Sequence, residues 1–323
     1  MQLALLAAAL ILDRLLGDPD WLWRRLPHPV VLFGAVIGFL DRRLNKETAS
    51  DAARRSRGVV ALLIALLLAI LIGLLLQVLL RSFGFVGALA EIVVVAVLLA
   101  QKSLSDHVLA VSKALWNGGL EEGRRAVSMI VGRDPATLDQ PAICRAAIES
   151  LAENFSDGVI APAFWYALGG LPGLFAYKML NTADSMIGHK TPRYLAFGWA
   201  AARLDDVANL PAARLSAGLI ALGALPVRGR KAGWRALKVA FSDHGLHRSP
   251  NSGWPEAAMA GALGLQLAGP RVYNGEVVDE PMMNAAGRGE ARVEDIKKAV
   301  AIFHASCSSA LVAVLALSFL ALA

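Results

Sequence analysis

Residues 59–80 read VVALLIALLLAILIGLLLQVLL, a run of 22 residues without a charged side chain. About 20 such residues in a helix cross the hydrocarbon core of a bilayer, which is about 30 Å thick. Residues 299–323 form a second apolar run, interrupted by His304 and a few small polar residues. Residues 83–100 form a third, which contains one acid, Glu91. The sequence therefore predicts several membrane-spanning helices.

The composition of the whole chain supports the same class. Hydrophobic residues make up 56% of the 323 residues, charged residues 18%, and the mean hydropathy is +0.52. These values are too apolar for an ordinary soluble domain. No internal repeat, low-complexity segment or linker divides the sequence. We therefore predict an all-α, polytopic integral membrane protein that forms a single domain over residues 1–323.

The basic residues predict the orientation of the chain. The net charge is +6, and nine Lys or Arg residues lie between Arg14 and Arg57, beside apolar segments. This arrangement favours membrane orientation and lipid contact over nucleic-acid binding, and it places the basic segment in the cytoplasm. Residues 59–80 and 83–100 are then expected to form a hairpin, and residues 101–157 to return to the cytoplasm as helices over 103–116, 120–131 and 140–155.

The N-terminus and the two cysteines bear on processing and metal binding. The N-terminus, MQLALLAAALILDRLLGDP, is apolar but has neither a basic leader nor a clear cleavage site, so we interpret it as a retained helix. The two cysteines, Cys144 and Cys307, are far apart. They predict neither a disulfide framework nor a metal site.

Three apolar segments do not resemble simple spans. Residues 158–177 contain the helix breakers Pro162, Gly169, Gly170, Pro172 and Gly173. Residues 215–227 and 257–269 are each only 13 residues long. A membrane accepts broken helices where protein or water satisfies the freed backbone groups. We expect bent, re-entrant or interfacial pieces around a cavity, with full spans at 158–177 and 207–227 as the alternative.

An acidic stripe precedes the first of these segments. In IESLAENFSDG (148–158), Glu149, Glu153 and Asp157 are four residues apart and share one helix face, with Asn154 alongside. A solvated helix face and the rim of a functional site are equally compatible with this stretch alone.

Two further acidic clusters lie beside apolar segments. YKMLNTADSMIGHK (177–190) contains Lys178, Asn181 and Asp184, and RLDDVANLPAARLS (203–216) contains Asp205 and Asp206. Oxygen ligands at helical spacing suit Mg²⁺, which takes one or two carboxylates together with waters and phosphate oxygens. Ionisable groups near a membrane are costly and usually functional.

The stretch SDHGLHRSPNSGWPEAAMAGALG (242–264) predicts an anion site. His244, His247, Arg248, Ser249, Asn251 and Ser252 precede a helix that has Pro255 in its first turn. Backbone N–H groups at a helix start, with arginine and hydroxyl groups in front, bind phosphate. Zinc binding by the two histidines is disfavoured, because no further ligands follow at a clear spacing. Near the N-terminus, Asp13, Arg14, Asp18 and His28 surround a predicted helix end.

Taken in order, these stretches resemble one family, the adenosylcobinamide-phosphate synthases of cobalamin (vitamin B12) biosynthesis, also called the CobD/CbiB family. The resemblance rests on LDRLLGDP, PHPV, RAAIESLAENFSDGVIAPAFWYALGGLPG, YKMLNTADSMIGHK, ARLDDVANLPAARLSA and HRSPNSGWPEAAMAGALG. It extends from Asp13 to about Val300, and several consecutive motifs make it more specific than any single cluster. Residues 46–140 carry no motif that tests it.

The resemblance implies an integral-membrane ligase that consumes ATP and uses Mg²⁺. Such an enzyme joins the propionate carboxylate of adenosylcobyric acid to (R)-1-amino-2-propanol or its phosphate, giving adenosylcobinamide (phosphate). It implies a corrinoid, the aminopropanol, membrane lipid and other membrane-associated cobalamin-assembly enzymes as partners, and a multi-pass location in the cell membrane with the active site at the cytoplasmic face.

The candidate residues take roles on this basis. Four acids are candidate catalytic residues: Glu153, Asp157, Asp184 and Asp205. Three acids are candidate metal ligands: Asp184, Asp205 and Asp206. The candidate phosphate and substrate ligands are Asn154, Lys178, Asn181, Lys190, Arg214, His247, Arg248, Ser249, Asn251 and Ser252.

Two other classes of protein remain as alternatives. Membrane prenyl or CDP-alcohol phosphotransferases also hold Mg²⁺ with helical Asp clusters, but they require a second acidic motif facing the first, for which NTADS (181–185) is the candidate. A transporter is less favoured, because it predicts internal symmetry and charges deep in the spans, where only Glu91 is found.

Overall fold

The computed structural model describes the chain except for residues 19–22, 133–134, 274–275, 279 and 322–323, and describes the backbone alone at 271–273 and 276–278. Its helices are α1 (Gln2–Leu16), α2 (Pro29–Leu44), α3 (Asp51–Ser82), α4 (Gly84–Leu98), α5 (Gln101–Val127), α6 (Gln140–Phe155), α7 (Ala161–Ile187), α8 (Trp199–Arg228), α9 (Arg230–Asp243), α10 (Gly253–Leu263) and α11 (Val293–Leu320). A π-helical turn, Ser156–Ile160, joins α6 to α7, and 3₁₀ turns lie at Pro135–Thr137 and His244–Leu246.

The predicted fold class is confirmed: the protein is an all-α, polytopic membrane protein. Within the described residues, five helical stretches are long and apolar enough to span a bilayer, at Asp51–Ser82, Gly84–Val127, Gln140–Ile187, Trp199–Arg228 and Val293–Leu320. The helices predicted at 103–116, 120–131 and 140–155 correspond to α5, which is broken at Gly119 (φ 71°), and to α6.

The described residues group into two compact units. Unit 1 contains residues 1–100 and 161–209, and unit 2 contains residues 101–160 and 210–321. Helix α8 therefore contributes its first eleven residues, 199–209, to unit 1 and its remainder to unit 2. The single domain expected over 1–323 stays a prediction.

In unit 1, the breaker-rich segment 158–177 forms a helical hairpin. Helix α7 is interrupted at Gly170, which has φ 62° and ψ −149°. A Cβ atom on Gly173 would lie 2.3 Å from the carbonyl oxygen of Trp165, so the arms on either side of Gly170 fold back against each other. The bend predicted for this segment is confirmed, and its re-entrant placement in the membrane stays a prediction. Residues 207–227, in contrast, belong to the 30-residue helix α8, which matches the alternative of a full span.

Helix α3 accommodates this break. The Gln77 side-chain oxygen accepts a hydrogen bond from the backbone N–H of Leu171 (2.9 Å). One turn earlier, a Cβ atom on Gly73 would lie 2.8 Å from Cα of Pro172. A hydrocarbon environment offers no water to an unpaired N–H group, so the partner must come from the protein. Gln77 and Gly73 therefore allow α7 to turn within the apolar layer.

The second arm of α7 runs back toward the start of α3. A Cβ atom on Gly58 would lie 1.9 Å from the carbonyl oxygen of Phe197, just after α7 ends. The loop at residues 188–198 thus lies at the same end of α3 as the basic segment before it. This arrangement follows from the hairpin at Gly170, because a straight helix would carry the loop to the other end.

The one acid of the third apolar run, Glu91, is buried in unit 1. Its Oε1 atom accepts a hydrogen bond from the Tyr166 hydroxyl (2.7 Å), and the Gln2 side chain donates to the Tyr166 carbonyl oxygen. These bonds join α1, α4 and α7. The hydrogen bond satisfies a carboxyl group whose isolated burial in lipid would be costly.

In unit 2, α10 is the short, buried helix that occupies most of 257–269. It contacts α6, α9 and α11, while α11 also contacts α5 and α6. Two small antiparallel sheets follow: β1 (Leu267–Ala268) pairs with β4 (Met282–Met283), and β2 (Arg271–Tyr273) pairs with β3 (Glu276–Val278). These sheets were not predicted from the sequence. The pair Asn-Gly between two β-prone triplets was the available signal, since it is a strong marker of hairpins.

The close approach at Gly73 yields a stability prediction. We expect Gly73→Ala to lower stability by about 1–3 kcal/mol, because the new methyl group meets backbone atoms of α7. Gly218→Ala, in α8, is the matched control, since a Cβ atom there meets nothing within 4 Å. The higher helix propensity of alanine should make that variant neutral or slightly more stable. Thermal unfolding in detergent measures both, and equal midpoints would contradict the assigned contact.

Candidate functional site

The candidate site residues are distributed over both units. Unit 1 contains the carboxylate cluster, defined as Asn181, Asp184, Asp205 and Asp206, together with Lys178 and Lys190. Unit 2 contains the donor cluster, defined as Arg214, Ser249, Asn251 and Ser252, together with Glu153, Asn154, Asp157, His247 and Arg248.

Asp205 is the most constrained residue of the carboxylate cluster. Its side chain is 8% exposed, and Oδ2 accepts a hydrogen bond from the Asn209 amide (2.8 Å). The Asn209 side-chain oxygen in turn accepts from the Tyr177 hydroxyl (2.9 Å). This chain of bonds fixes the carboxylate plane. Among the described residues no hydrogen-bond partner reaches Oδ1, which is buried.

The other members of the cluster surround this carboxylate. Asp184, on α7, and Asp206, next in sequence, both act electrostatically on Asp205, and the Asn181 side chain also interacts with it. Like charges in a poorly hydrated site repel strongly unless a cation offsets them. The arrangement therefore favours binding of a positive group at Asp205 Oδ1.

The donor set fits magnesium better than a softer metal. The described residues contain no group of three or more His, Cys, Asp or Glu side chains that could hold a metal ion. Mg²⁺ needs only one or two carboxylates, with waters and phosphate oxygens as its remaining ligands. The orphan oxygen of Asp205, beside the Asp184 carboxylate, meets that requirement.

Two basic side chains approach the cluster at Asp206. Lys190, in the 188–198 loop, and Arg203, on α8, both act electrostatically on this carboxylate. Lys178 is half-buried on α7, three residues before Asn181. Lys190 and Arg203 thus place positive charge beside the carboxylate cluster at Asp206.

A buried polar network holds the 188–198 loop. Arg54 is 7% exposed and donates to the Asn45 side-chain oxygen (3.0 Å), to the Pro192 carbonyl (3.4 Å) and to the Arg193 carbonyl. Asn45 donates to Asp41 (2.8 Å) and also to the Arg193 carbonyl (3.2 Å). The loop backbone is thus fastened to the corner between α2 and α3.

An ion pair closes the same network. Arg193 bonds to the Asp41 carboxylate at 2.9 Å. Hydrogen bonds to Asp41 and Tyr194 raise the pKa of the Arg193 guanidinium above its ordinary value, so it keeps its charge throughout the physiological range. Since Lys190 is three residues away, the network also limits where Lys190 can lie.

In unit 2, the acidic stripe has three different environments. Glu149 is 4% exposed and accepts a hydrogen bond from the backbone N–H of Ala268 (2.8 Å), a residue with φ 63°. This is a structural role, and it excludes a solvated face for Glu149. Glu153 accepts from the Ser252 hydroxyl (2.9 Å), which ties the stripe to the donor cluster. Asp157 is half-buried in the π-helical turn, a distortion frequent at functional sites.

Arg214 is held by an aromatic stack. Its guanidinium donates to the Asn251 side-chain oxygen (3.3 Å) and lies 5.1 Å from the ring centroid of Trp254. His244 stacks on the same ring at 4.0 Å, and Nδ1 of His244 faces the Ala240 carbonyl (3.0 Å). Trp254 therefore positions the arginine predicted to bind phosphate.

The remaining polar residues of 242–264 mostly shape the turn before α10. The Ser249 hydroxyl accepts from the N–H groups of Asn251 and Ser252, both at 3.3 Å. His247 Nδ1 accepts from the Ser249 N–H (2.9 Å), and Nε2 lies 3.8 Å from Glu256. Arg248 lies 3.7 Å from Glu280. The ring nitrogens of His247 are thus engaged within the protein, which argues against zinc there.

Other candidates serve the structure around them. Asn154 donates to the carbonyl oxygen (2.9 Å) and hydroxyl (3.2 Å) of Ser150, one turn earlier. Asp13 is buried. His28 caps α2 by accepting from the Val30 N–H (3.2 Å), and its Nε2 lies 3.5 Å from Asp18. In unit 2, a cavity of about 440 Å³ is lined by Leu115, Trp116, Gln140, Arg292, Val293 and Glu294, none of which is a predicted site residue.

Three residues that orient the clusters were not predicted from the sequence: Tyr177, Trp254 and Arg54. Tyr177 and Trp254 lie inside the quoted motifs, but their hydrogen-bonding and stacking roles depend on partners that the motifs do not show. Arg54 was counted only as one of the basic residues that orient the chain. A buried arginine in that segment has no sequence signature, because its contacts lie 138 and 139 residues away.

Comparison with known proteins agrees with this architecture. A family model described as CobD/Cbib protein matches residues 6–303. Three similar relatives are each named cobalamin biosynthesis protein CobD. The one from Sinorhizobium sp is 65% identical over 95% of both chains. The one from Brucella suis biovar 1 is 52% identical over 95% of this chain and 94% of the relative. The one from Rhodobacter capsulatus is 46% identical over 93% and 92% respectively. No solved structure matches the chain.

The Arg54 network predicts a local effect on the 188–198 loop. We expect Arg54→Met to leave two loop carbonyls and Asn45 without their charged donor, at a cost of about 1.5–3 kcal/mol for a bond to a charged group. Protection of the loop amides from hydrogen exchange should then fall about ten- to hundredfold. Arg57→Met is the control, because Arg57 is exposed on the same helix. Unchanged exchange at 188–198 in the Arg54 variant would show that other contacts hold the loop.

Proposed function

Because the chain belongs to the CobD/CbiB protein family, we propose that it is a membrane enzyme of cobalamin biosynthesis that forms an amide bond at the expense of ATP. The substrates would be the propionate carboxylate of adenosylcobyric acid and (R)-1-amino-2-propanol or its phosphate. The product would be adenosylcobinamide or its phosphate. The observation that carries the proposal is the buried, oriented carboxylate of Asp205, with one unpartnered oxygen beside Asp184.

The reaction requires an activated acid. A carboxylate and an amine form a salt in water and do not condense, so one carboxylate oxygen must first be bonded to a phosphoryl or nucleotidyl group from ATP. The amine nitrogen then attacks the carbonyl carbon, the C–N bond forms, and the phosphate or nucleotide leaves with that oxygen. Such steps are accelerated mainly by positioning and charge neutralisation, and no protein nucleophile is needed.

The carboxylate cluster supports the nucleotide half of this chemistry. Asp184 and Asp205, with Asp206 at the edge, would hold Mg²⁺, which neutralises phosphate charge when it is bound. Tyr177 and Asn209 keep Asp205 in one orientation, so little reorganisation is needed on binding. Lys190 and Lys178 supply positive charge for phosphate oxygens, while Asn181 can bond to an amide or hydroxyl group of the ligand.

The donor cluster supports binding of a second anionic or amide-bearing group. Arg214 is fixed by Trp254 and Asn251 and presents a planar cation suited to phosphate or carboxylate. Glu153, bonded to the Ser252 hydroxyl, is a candidate acceptor for the proton that the amine loses. His247, Arg248 and Asn154 stay predictions for direct substrate contact, because their observed bonds are to the protein. Asp157 also stays a prediction.

We also propose that the carboxylate cluster faces the cytoplasm, where ATP is available. The supporting observation is the fastening of the 188–198 loop to Arg54, in the basic segment that the positive-inside bias assigns to the cytoplasm. The cell membrane would then carry the enzyme as a multi-pass protein.

Turnover by purified protein tests the chemistry. The protein in detergent, given adenosylcobyric acid, aminopropanol phosphate and ATP·Mg²⁺, should form cobinamide phosphate detectable by chromatography and mass spectrometry. We expect Asp205→Asn to reduce the rate by about 10²–10³-fold, the range for loss of one preorganised electrostatic group. Glu121→Gln, at an exposed acid, is the matched control. Near-normal turnover by a folded Asp205→Asn protein would remove Asp205 from the mechanism. No product from wild-type protein, together with corrinoid uptake into vesicles, would favour a transporter.

Labelling of single cysteines tests the sidedness. Ser185→Cys, near the end of α7, should react with an impermeant maleimide in inverted vesicles and not in intact cells. Phe85→Cys, in the first turn of α4, should behave in the opposite way. The native Cys144 and Cys307 are both buried, which limits background labelling. Reaction of Ser185→Cys from outside intact cells would contradict the cytoplasmic assignment.

A further inference from the structure

Helix α9 has one face that packs within unit 2 and an opposite face that is exposed. Its buried residues are Ala232, Gly233, Ala236, Val239 and Ala240. Trp234 and Phe241 lie on the other side and are 73% and 68% exposed, and the Phe241 ring also contacts the Trp254 ring (5.4 Å between centroids). Two large aromatic residues exposed together on a short helix indicate a surface that meets something other than water.

The buried face of α9 cannot turn to cover these aromatic side chains. A Cβ atom on Gly261 of α10 would lie 2.6 Å from the Arg235 carbonyl, and one on Gly233 would lie 2.9 Å from the Ala221 carbonyl of α8. Contacts this close fix the rotation of α9 about its axis. The exposed face is therefore a permanent feature of unit 2.

Basic residues flank the aromatic pair. At 100° per residue, Trp234 and Phe241 lie within about 20° of each other around the helix axis. Measured from Trp234, Lys231 and Lys238 lie about 60° and about 40° to one side, and Arg230 lies about 40° to the other. All three basic residues are exposed. Arg235, in contrast, is bonded to the Gly261 and Ala262 carbonyls. The one acid of the helix, Asp243, accepts from the Asn284 N–H and does not face the cations.

We propose that α9 lies in the plane of the membrane interface, with Trp234 and Phe241 among the upper acyl chains and Lys231, Lys238 and Arg230 on anionic lipid headgroups. An apolar centre with basic edges is the pattern of interfacial helices, whose lysine stems lie along the apolar layer while the ammonium groups reach the phosphates.

Continuity with a candidate span supports a bilayer as the occupant. Only Gly229 (φ 82°) separates α9 from Arg228, the last residue of α8. A sharp turn at the end of a span brings the following helix to the lipid surface. The positive charge of the face matches anionic lipid, whereas a protein partner would more often meet an apolar patch with few lysines. This inference does not depend on the proposed enzymatic activity.

Spin labels on α9 test the proposal. Single cysteines at Trp234, Phe241 and Lys238 would carry a nitroxide in full-length protein reconstituted in phosphatidylcholine–phosphatidylglycerol vesicles, with Glu121→Cys as a water-exposed control. At positions 234 and 241 we expect the nitroxide to collide severalfold more often with oxygen than with a polar nickel complex. This excess should be smaller at position 238, and at position 121 collisions with the nickel complex should be the more frequent. Each labelled protein is first checked for a wild-type elution profile.

The possible outcomes separate the occupants. High nickel collision rates at 234 and 241 would mean that the face is in water, and low rates with both reagents would mean that protein covers it; either result overturns the proposal. To test the charge component, the label at 241 is compared with and without Lys231→Gln and Lys238→Gln. The double substitution should make the label shallower in anionic vesicles and leave it unchanged in pure phosphatidylcholine. Equal effects in both lipids would overturn the anionic component.

Discussion

The hydrogen bond between Gln77 and the Leu171 N–H allows α7 to turn within an apolar layer. A membrane accepts a broken helix only where the freed backbone groups find partners in the protein. Gly170 supplies the left-handed backbone that the turn needs, Gly73 gives the space for it, and Gln77 satisfies the donor it exposes. The direction of the second arm, the end at which the 188–198 loop lies and the approach of Lys190 to Asp206 all follow from this turn.

The polar clusters differ in how far the protein itself satisfies them. Around Arg54, donors and acceptors are matched, and the network is fully explained as a fastening of the loop. Around Glu149 the same is true, because the carboxylate stabilises a residue at positive φ. Such groups would be conserved or lost with the fold, whatever the chemistry of the protein. Functional groups are better sought among buried polar atoms whose hydrogen bonding within the protein is incomplete.

The sequence was sufficient for the fold class, for most helices and for the interruption at 158–177, because hydropathy, length and glycine or proline breakers act locally. It was not sufficient for α8, since 13 uncharged residues at 215–227 gave no sign that Trp199–Asp206 continue the same helix. For the site, helical spacing placed Glu149 and Glu153 on one helix, α6, whereas Asp157 follows that helix in the π-helical turn. Spacing gives the direction of a side chain and not its partner, so it could not distinguish the structural Glu149 from Glu153. Tyr177, Trp254 and Arg54 were missed for the same reason, as their roles come from contacts distant in sequence.

Asp205 is a buried carboxylate whose cost in stability the proposed metal site would explain. Burial of a carboxylate beside another carboxylate raises the free energy of the protein, and the Tyr177–Asn209 chain offsets only the part that belongs to Oδ2. A packed core would favour replacement of such a residue by asparagine or leucine, because an unsatisfied oxygen costs about 1–3 kcal/mol. An oxygen that is oriented and yet left open is accounted for if a cation completes it during turnover. The stability lost in the ligand-free protein is then a consequence of preorganisation, because the carboxylate is already oriented for the charge that arrives with the substrate.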